Sequence, residues 1–321
     1  MQEVARNEVG HVVAPALLAP GLVGKIPAQA DFVRINANER TALELARWLE
    51  EAQESLRRAG SPLPSAPIFF VYSTPLARNV LIGALVPSHD QVGRAFPVAA
   101  FAPLESKEAA SHFPLVPLAF SQFLGAAAAL LASVPRLMTS KIVEQLNSLP
   151  RPGAGEWSVA EEQRRLQLGN SAVALTGQFR EQAADPDGAY YAIRTFLMAC
   201  AGEKSQEPAK VKVVLDCPLG TGGALPWLDL AGRILQWKAQ PPSFLWAETP
   251  VPRLLLSLGP LPPSSLSYLA RPDQSVAVFW PLRTSQKAAM AAARQALSPE
   301  QRRAVEDGGI SIDALFSQLA R

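Results

Sequence analysis

Ser88-His89-Asp90 sets side by side the residue types of a nucleophile, a base and the acid that orients it. Hydrolytic triads converge from separated segments, so that base and nucleophile face each other. Three consecutive residues point in different directions, and no Gly-x-Ser-x-Gly elbow accompanies these. Gly220-Thr221-Gly222-Gly223 lies between a strand-like and a helix-like run, the context of a phosphate-binding turn. Pro218 and Pro226 flank it and the third glycine of the dinucleotide fingerprint is missing, so a simple loop is expected. No Gly-x-x-x-x-Gly-Lys-Ser/Thr segment is present. Cys217 has no basic neighbour to lower its pKa. Asp307-Gly308-Gly309 carries only a fragment of a metal-dependent phosphatase pattern and reads as a helix end. Two cysteines and the scattered His11, His89 and His112 suggest neither a disulfide framework nor a metal site. The residues specify no catalytic constellation, so no enzymatic activity, cofactor or metal is expected.

The elements that would position any site fall in a definite order. Gly21–Ile26 and Phe32–Ile35 read as extended. A long helix follows, with Leu45, Trp48, Leu49, Ala52 and Leu56 at helical spacing. Asn38 or Thr41 can cap its start, Thr41 with Glu44 having the capping-box spacing, and Gly60 ends it. Ile68–Tyr72, Val80–Val86 and Phe96–Phe101 read as strands, then Pro117–Ser133 and Pro135–Leu149 as helices. Strands joined by short turns should pair antiparallel, with helices gathered against the sheet. The expected class is therefore α+β: a mostly antiparallel sheet with helices, similar in order to longin-type or profilin-type sandwiches.

Pro150–Gly155 is dense in turn formers and is the expected boundary between an N-terminal domain, 1–150, and a C-terminal mixed α/β domain, 156–321. In the latter, 158–168, 190–200, 225–237, 285–297, 299–307 and 312–319 read as helices. Val211–Leu215, Phe244–Ala247, Leu254–Leu258 and Val276–Trp280 read as strands.

Of 321 residues, 48% are hydrophobic and 18% charged, against about 25% charged in ordinary globular chains. A real core is expected, and the thinly charged surface leaves self-association open. A formal charge of +2 builds no basic field for nucleic acid or anionic membrane. Leu115–Val134 has the length of a membrane span, but Pro117, Ser121 and Gln122 interrupt it, and a buried helix is expected. Met1–Gly10 shows no signal-like apolar core, so a cytoplasmic location is expected.

Two segments carry more information. The first is Gly21-Leu-Val-Gly-Lys-Ile-Pro-Ala-Gln-Ala-Asp-Phe-Val-Arg34; the second is Gly83-Ala-Leu-Val-Pro-Ser-His-Asp-Gln-Val-Gly-Arg-Ala-Phe-Pro97. Gly24 and Gly93 permit turns or close backbone approach, while Pro27, Pro87 and Pro97 stop strands. Asp31 and Asp90 each have a candidate partner in Arg94, whose fork suits a carboxylate. Two readings follow: an internal clasp between the segments, or an exposed patch in which Lys25 and Arg94 face an acidic or phosphorylated partner.

Together the segments resemble the two signatures of the TagF (ImpM) family, accessory proteins of bacterial type VI secretion. Gly24, Lys25, Pro27, Asp31 and Phe32 match the first signature; Asp90, Gly93, Arg94 and Pro97 are among those matching the second. Ile26 and Ala30 stand where the family has Leu and Gly. The resemblance implies a post-translational repressor of secretion that binds other proteins, with a forkhead-associated scaffold as partner. The competing expectations are a cryptic hydrolase or phosphatase and a passive structural subunit of the apparatus.

Overall fold

The computed structural model describes residues 19–151, 154–179, 187–204, 211–220, 222–248, 251–272 and 277–320. Met1–Gly10, Pro152, Gly153, Thr221 and Val276, singled out above, lie outside them. Five strands form the first part of the sheet: β1 (Gly21–Gly24), β2 (Val33–Ile35), β3 (Ile68–Tyr72), β4 (Asn79–Val86) and β5 (Val98–Glu105). Helix α1 (Arg40–Ala59) separates β2 from β3. Then come α2 (Ser106–His112), α3 (Val116–Ala119), α4 (Ser121–Ser133), α5 (Thr139–Asn147), α6 (Ala154–Leu168), α7 (Val173–Thr176) and α8 (Asp187–Gly202). The remainder is β6 (Val214–Pro218), α9 (Leu225–Leu235), β7 (Ser243–Ala247), β8 (Arg253–Ser257), α10 (Ser264–Ala270) and β9 (Phe279–Pro281). Helices α11 (Lys287–Ala296), α12 (Pro299–Glu306) and α13 (Ile312–Leu319) complete it.

Among the described residues all nine strands form one sheet, in the order β2-β1-β5-β4-β3-β7-β8-β6-β9. Every pairing is antiparallel except β6 with β9. The expected boundary at 150–155 separates the first five strands from the last four along the chain, and the last four continue the same sheet. The join is β3 to β7, with Phe69 opposite Trp246, Phe70 opposite Leu245 and Val71 opposite Phe244.

Alternation along the strands sends side chains to two cores. In β4, Val80, Ile82, Ala84 and Val86 pack under the larger helical layer, whereas Leu81 and Leu85 pack under α1 and α10. That period of two is the pleat itself. The apolar stripe of α1 read from the sequence is buried: Leu45, Trp48, Leu49, Ala52 and Leu56. Trp48 donates its indole N–H to the Leu261 carbonyl at 2.9 Å, and Ser55 meets Ser267 at 2.9 Å, so α1 and α10 lie together across the join.

Some local expectations are corrected. Neither Asn38 nor Thr41 caps α1; Glu39 holds the cap position, and the Thr41 hydroxyl donates to the Asn79 carbonyl at 2.9 Å. Burial of Thr41 against β4 gives its hydroxyl a better partner than the helix end. The helix expected over 117–133 breaks at Phe120, and its two sides are bent by 61°. Its apolar side chains, Phe123, Leu124, Ala127, Leu130 and Leu131 among them, are buried in the larger core. Among the described residues no single helix is long and apolar enough to cross a membrane.

Candidate functional site

Antiparallel pairing of β1 with β5 sets Gly24 opposite Val98, and so brings the β1–β2 loop beside the β4–β5 loop. The approach is closer than a side chain permits. A Cβ on Gly24, whose φ is 132°, would sit 2.3 Å from the Pro97 carbonyl oxygen and 2.7 Å from Val98 Cα. Above this contact the Gln91 N–H donates to the Gln29 carbonyl at 2.9 Å. Phe32 and Phe96 meet edge to face at 5.3 Å, with the Arg34 guanidinium 5.3 Å from the Phe32 ring centre.

Asp90 is the centre of the arrangement. Its side chain is 0% exposed, yet it belongs to a loop whose residues 91–95 are all exposed. Lys25 Nζ donates to Asp90 Oδ2 at 2.9 Å, and Arg94 Nε donates to the same oxygen at 2.6 Å. The other oxygen, Oδ1, accepts the Arg94 N–H at 2.8 Å and the Val92 N–H at 3.1 Å. The backbone closes on itself too, with the Gly93 N–H donating to the Asp90 carbonyl at 2.9 Å. Gly93 turns at φ 85°, where a Cβ would meet nothing within 4 Å. Finally Arg94 NH2 donates to the Ala30 carbonyl at 2.8 Å, lacing the second loop to the first.

Burial alone pushes the Asp90 carboxyl up, but hydrogen bonds from Lys25 and from the backbone and side chain of Arg94 outweigh it. The group is held well below the usual carboxylate range. It is a charged group kept charged, which suits an anchor and not a proton-transfer catalyst.

The structure thus brings Gly24, Lys25, Asp90, Gly93, Arg94 and Pro97 into one constellation, with Phe32 packed beside it. Pro27 opens the turn that the Gln29 N–H closes onto the Ile26 carbonyl at 3.1 Å. Asp31 is not joined to Arg94, which turns to Asp90 and to the backbone one residue earlier; Asp31 stays exposed. Lys25 is 17% exposed and committed to Asp90, whereas Arg94 is 61% exposed. Of the two expected cations, then, Arg94 is the one presented outward. Gln29, Val92 and Met138 were not read as site residues. Gln29 donates to Thr139 Oγ1 at 3.0 Å, which brings the start of α5 alongside. Val92 is 67% and Met138 75% exposed. An apolar Val92 inside a polar loop bounded by Pro87 and Pro97 was the available signal.

Other sequence candidates sit elsewhere or are engaged otherwise. His89 is exposed and takes neither Asp90 oxygen, because both are filled by Lys25, Val92 and Arg94. The Gly220–Gly223 turn closes by the Gly223 N–H to the Gly220 carbonyl at 3.0 Å. It faces a cavity of about 90 Å³ lined by Gln167, Asn170 and Gln178, with no cationic residue among the described ones. Cys200 and Cys217 are buried, and burial pushes both thiols up. Among the described residues no group of three His, Cys, Asp or Glu side chains could hold a metal.

Comparison with known proteins identifies the first part of the chain. Residues 21–149 match the family profile described as the TagF N-terminal domain, type VI secretion system-associated. No curated protein matches the chain. Among solved structures, PA0076 from Pseudomonas aeruginosa PAO1 is similar, at 16% identity over 82% of this chain and 99% of that one, with a TM-score of 0.48. Residues 21–149, the span that contains both laced loops and the first five strands, are a TagF N-terminal domain of the type VI secretion-associated kind.

Proposed function

We propose that this protein is a post-translational repressor of type VI secretion that acts by binding a component of the apparatus. The observation that carries the proposal is the Asp90 arrangement: a loop exposed over residues 91–95 is tied down by four hydrogen bonds to a buried carboxylate that stays ionised at neutral pH. Preorganisation of this kind lowers the entropy lost when an exposed loop is immobilised on a partner. Arg94 leaves part of its guanidinium exposed to take a carboxylate or phosphate; Val92, two residues before it, and Met138, next to the Gln29–Thr139 contact, add exposed apolar surface. A forkhead-associated scaffold is the partner the resemblance implies, and the cytoplasm is the compartment where that encounter would occur.

Deletion of the gene in a host with a working system, followed by measurement of an exported component in the medium, tests the proposal. A repressor's loss raises secretion. Loss of a structural subunit abolishes it, and that result would reject repression. Metal-dependent turnover of a phosphate ester by the pure protein would reject binding as the whole mechanism.

A further inference from the structure

The hairpin joining β3 to β4 turns in a way the fold does not require of its residues. The Ala77 N–H donates to the Thr74 carbonyl at 3.2 Å, closing a turn with Pro75 and Leu76 at its centre. Leu76 has φ 61° and is 89% exposed. Proline followed by a left-handed residue is the type II pattern, whose third position favours glycine or asparagine. A leucine there sets its Cβ against its own backbone and gains no packing in return. The other non-glycine residues described at positive φ have local reasons. Asn36, a type that tolerates this region, donates its amide to the Pro20 carbonyl at 2.9 Å. Gln236 caps the C-terminus of α9 through its N–H to the Gly232 carbonyl.

Nor is the turn loose. Ser106, opening α2, donates its hydroxyl to the Ala77 carbonyl and its N–H to the Arg78 carbonyl, both at 2.8 Å. Gln240 donates to the Thr74 carbonyl from the far side of the β3–β7 join, and the Ser73 N–H donates to Ser243 Oγ at 2.9 Å. A single apolar side chain is therefore held outward on a braced and strained support. Its surroundings carry both charges: Arg78 and Lys107 are exposed, and so is Glu105. An anionic membrane surface calls for several apolar side chains on a basic face. One apolar side chain inside a mixed polar rim is a small version of the apolar centre and polar rim of protein–protein interfaces.

We propose that Leu76 is an anchor that enters an apolar pocket of a folded partner protein, a pocket the size of one leucine side chain with charges of both signs at its edge. The proposal rests on the protein-binding function above and adds a second contact, at the opposite end of β4 from Arg94.

The test compares the full parent chain with Leu76→Gly, Leu76→Asn and Leu76→Met in a deletion host, measuring exported component, with thermal unfolding of each purified protein. In parallel, Leu76→p-benzoylphenylalanine is irradiated in the same host, with the exposed Val251→p-benzoylphenylalanine as control. Expected are melting temperatures for Leu76→Gly and Leu76→Asn at or roughly 2 °C above the parent. Repression by these two should weaken at least about tenfold, a loss typical of a buried anchor, while Leu76→Met retains it. Expected also is one adduct, identified as a secretion component, from position 76 and not from 251. Unchanged repression by Leu76→Gly and Leu76→Asn overturns the proposal, as does an adduct with a second copy of this chain or with lipid. If the parent itself does not restore repression, the broader function fails; if the parent and both variants restore it equally, only the anchor fails.

Discussion

The two ends of β4 solve the same backbone problem with opposite residues. Beyond Val86 the chain reverses through Gly93 at φ 85°; before Asn79 it reverses through Leu76 at φ 61°. The strand between them has eight residues, a span of about 26 Å. At the Gly93 end the turn is polar, filled by Asp90 and its four donors, and the residue type relieves the backbone. At the Leu76 end an apolar side chain stands in water and the residue type burdens the backbone. Where geometry alone decides, the residue matches the dihedral. A residue that defies its dihedral and buries nothing points to a demand from outside the fold.

Substitutions can break that comparison, and they rank by expected size. Gly24→Ala should be the most damaging, because its Cβ would meet the Pro97 carbonyl and the Val98 backbone at a positive φ; a loss of about 3 kcal/mol or more is expected by chemical denaturation. Asp90→Asn comes next. It keeps the shape of the carboxylate and removes the charge that Lys25 and Arg94 both require. Because the folded Asp90 carboxyl is held low, its stabilising effect is full above the unfolded value near 4 and disappears as pH falls toward the folded one. The melting-temperature gap between parent and Asp90→Asn should therefore be wide at neutral pH and narrow progressively as pH falls below about 4. A gap that persists unchanged in acid would mean that charge is not what holds the loop.

Gly93→Ala and Leu76→Gly sharpen the comparison most, because the signs should be opposite: a loss of about 1 kcal/mol for the first, and a gain of similar size for the second. Equal signs would dissolve the contrast. Smallest in stability is Arg94→Ala. A side chain 61% exposed contributes under about 1 kcal/mol, weakened by salt, while its removal should still impair repression in the secretion assay.

Part of this was legible in the residues. The stripe Leu45, Trp48, Leu49, Ala52 and Leu56 announced α1, because burial on one helical face leaves a 3.6-residue period. The first five strands were legible in order, and the two loops were seen to belong together. The choice of Asp90 over Asp31 as the ionic centre was not, since the two are chemically equal until the turn selects one. Pairing of β3 with β7 left no local signal: Phe69 and Trp246 suit any buried strand, and the contacts of α1 with Leu261 and α10 across the join are between residues more than 200 positions apart. Leu76 was equally hidden. Pro75 predicts a turn, but without glycine the sign of φ at the next residue cannot be read.

Amide hydrogen exchange at Val92 and Arg94 tests the central claim most directly. Both N–H groups lie in a solvent-exposed loop and donate to Asp90 Oδ1. Slow exchange at both positions in the parent, accelerated in Asp90→Asn while the β4 amides stay protected, is the result this account predicts. Fast exchange at Val92 and Arg94 in the parent would contradict it.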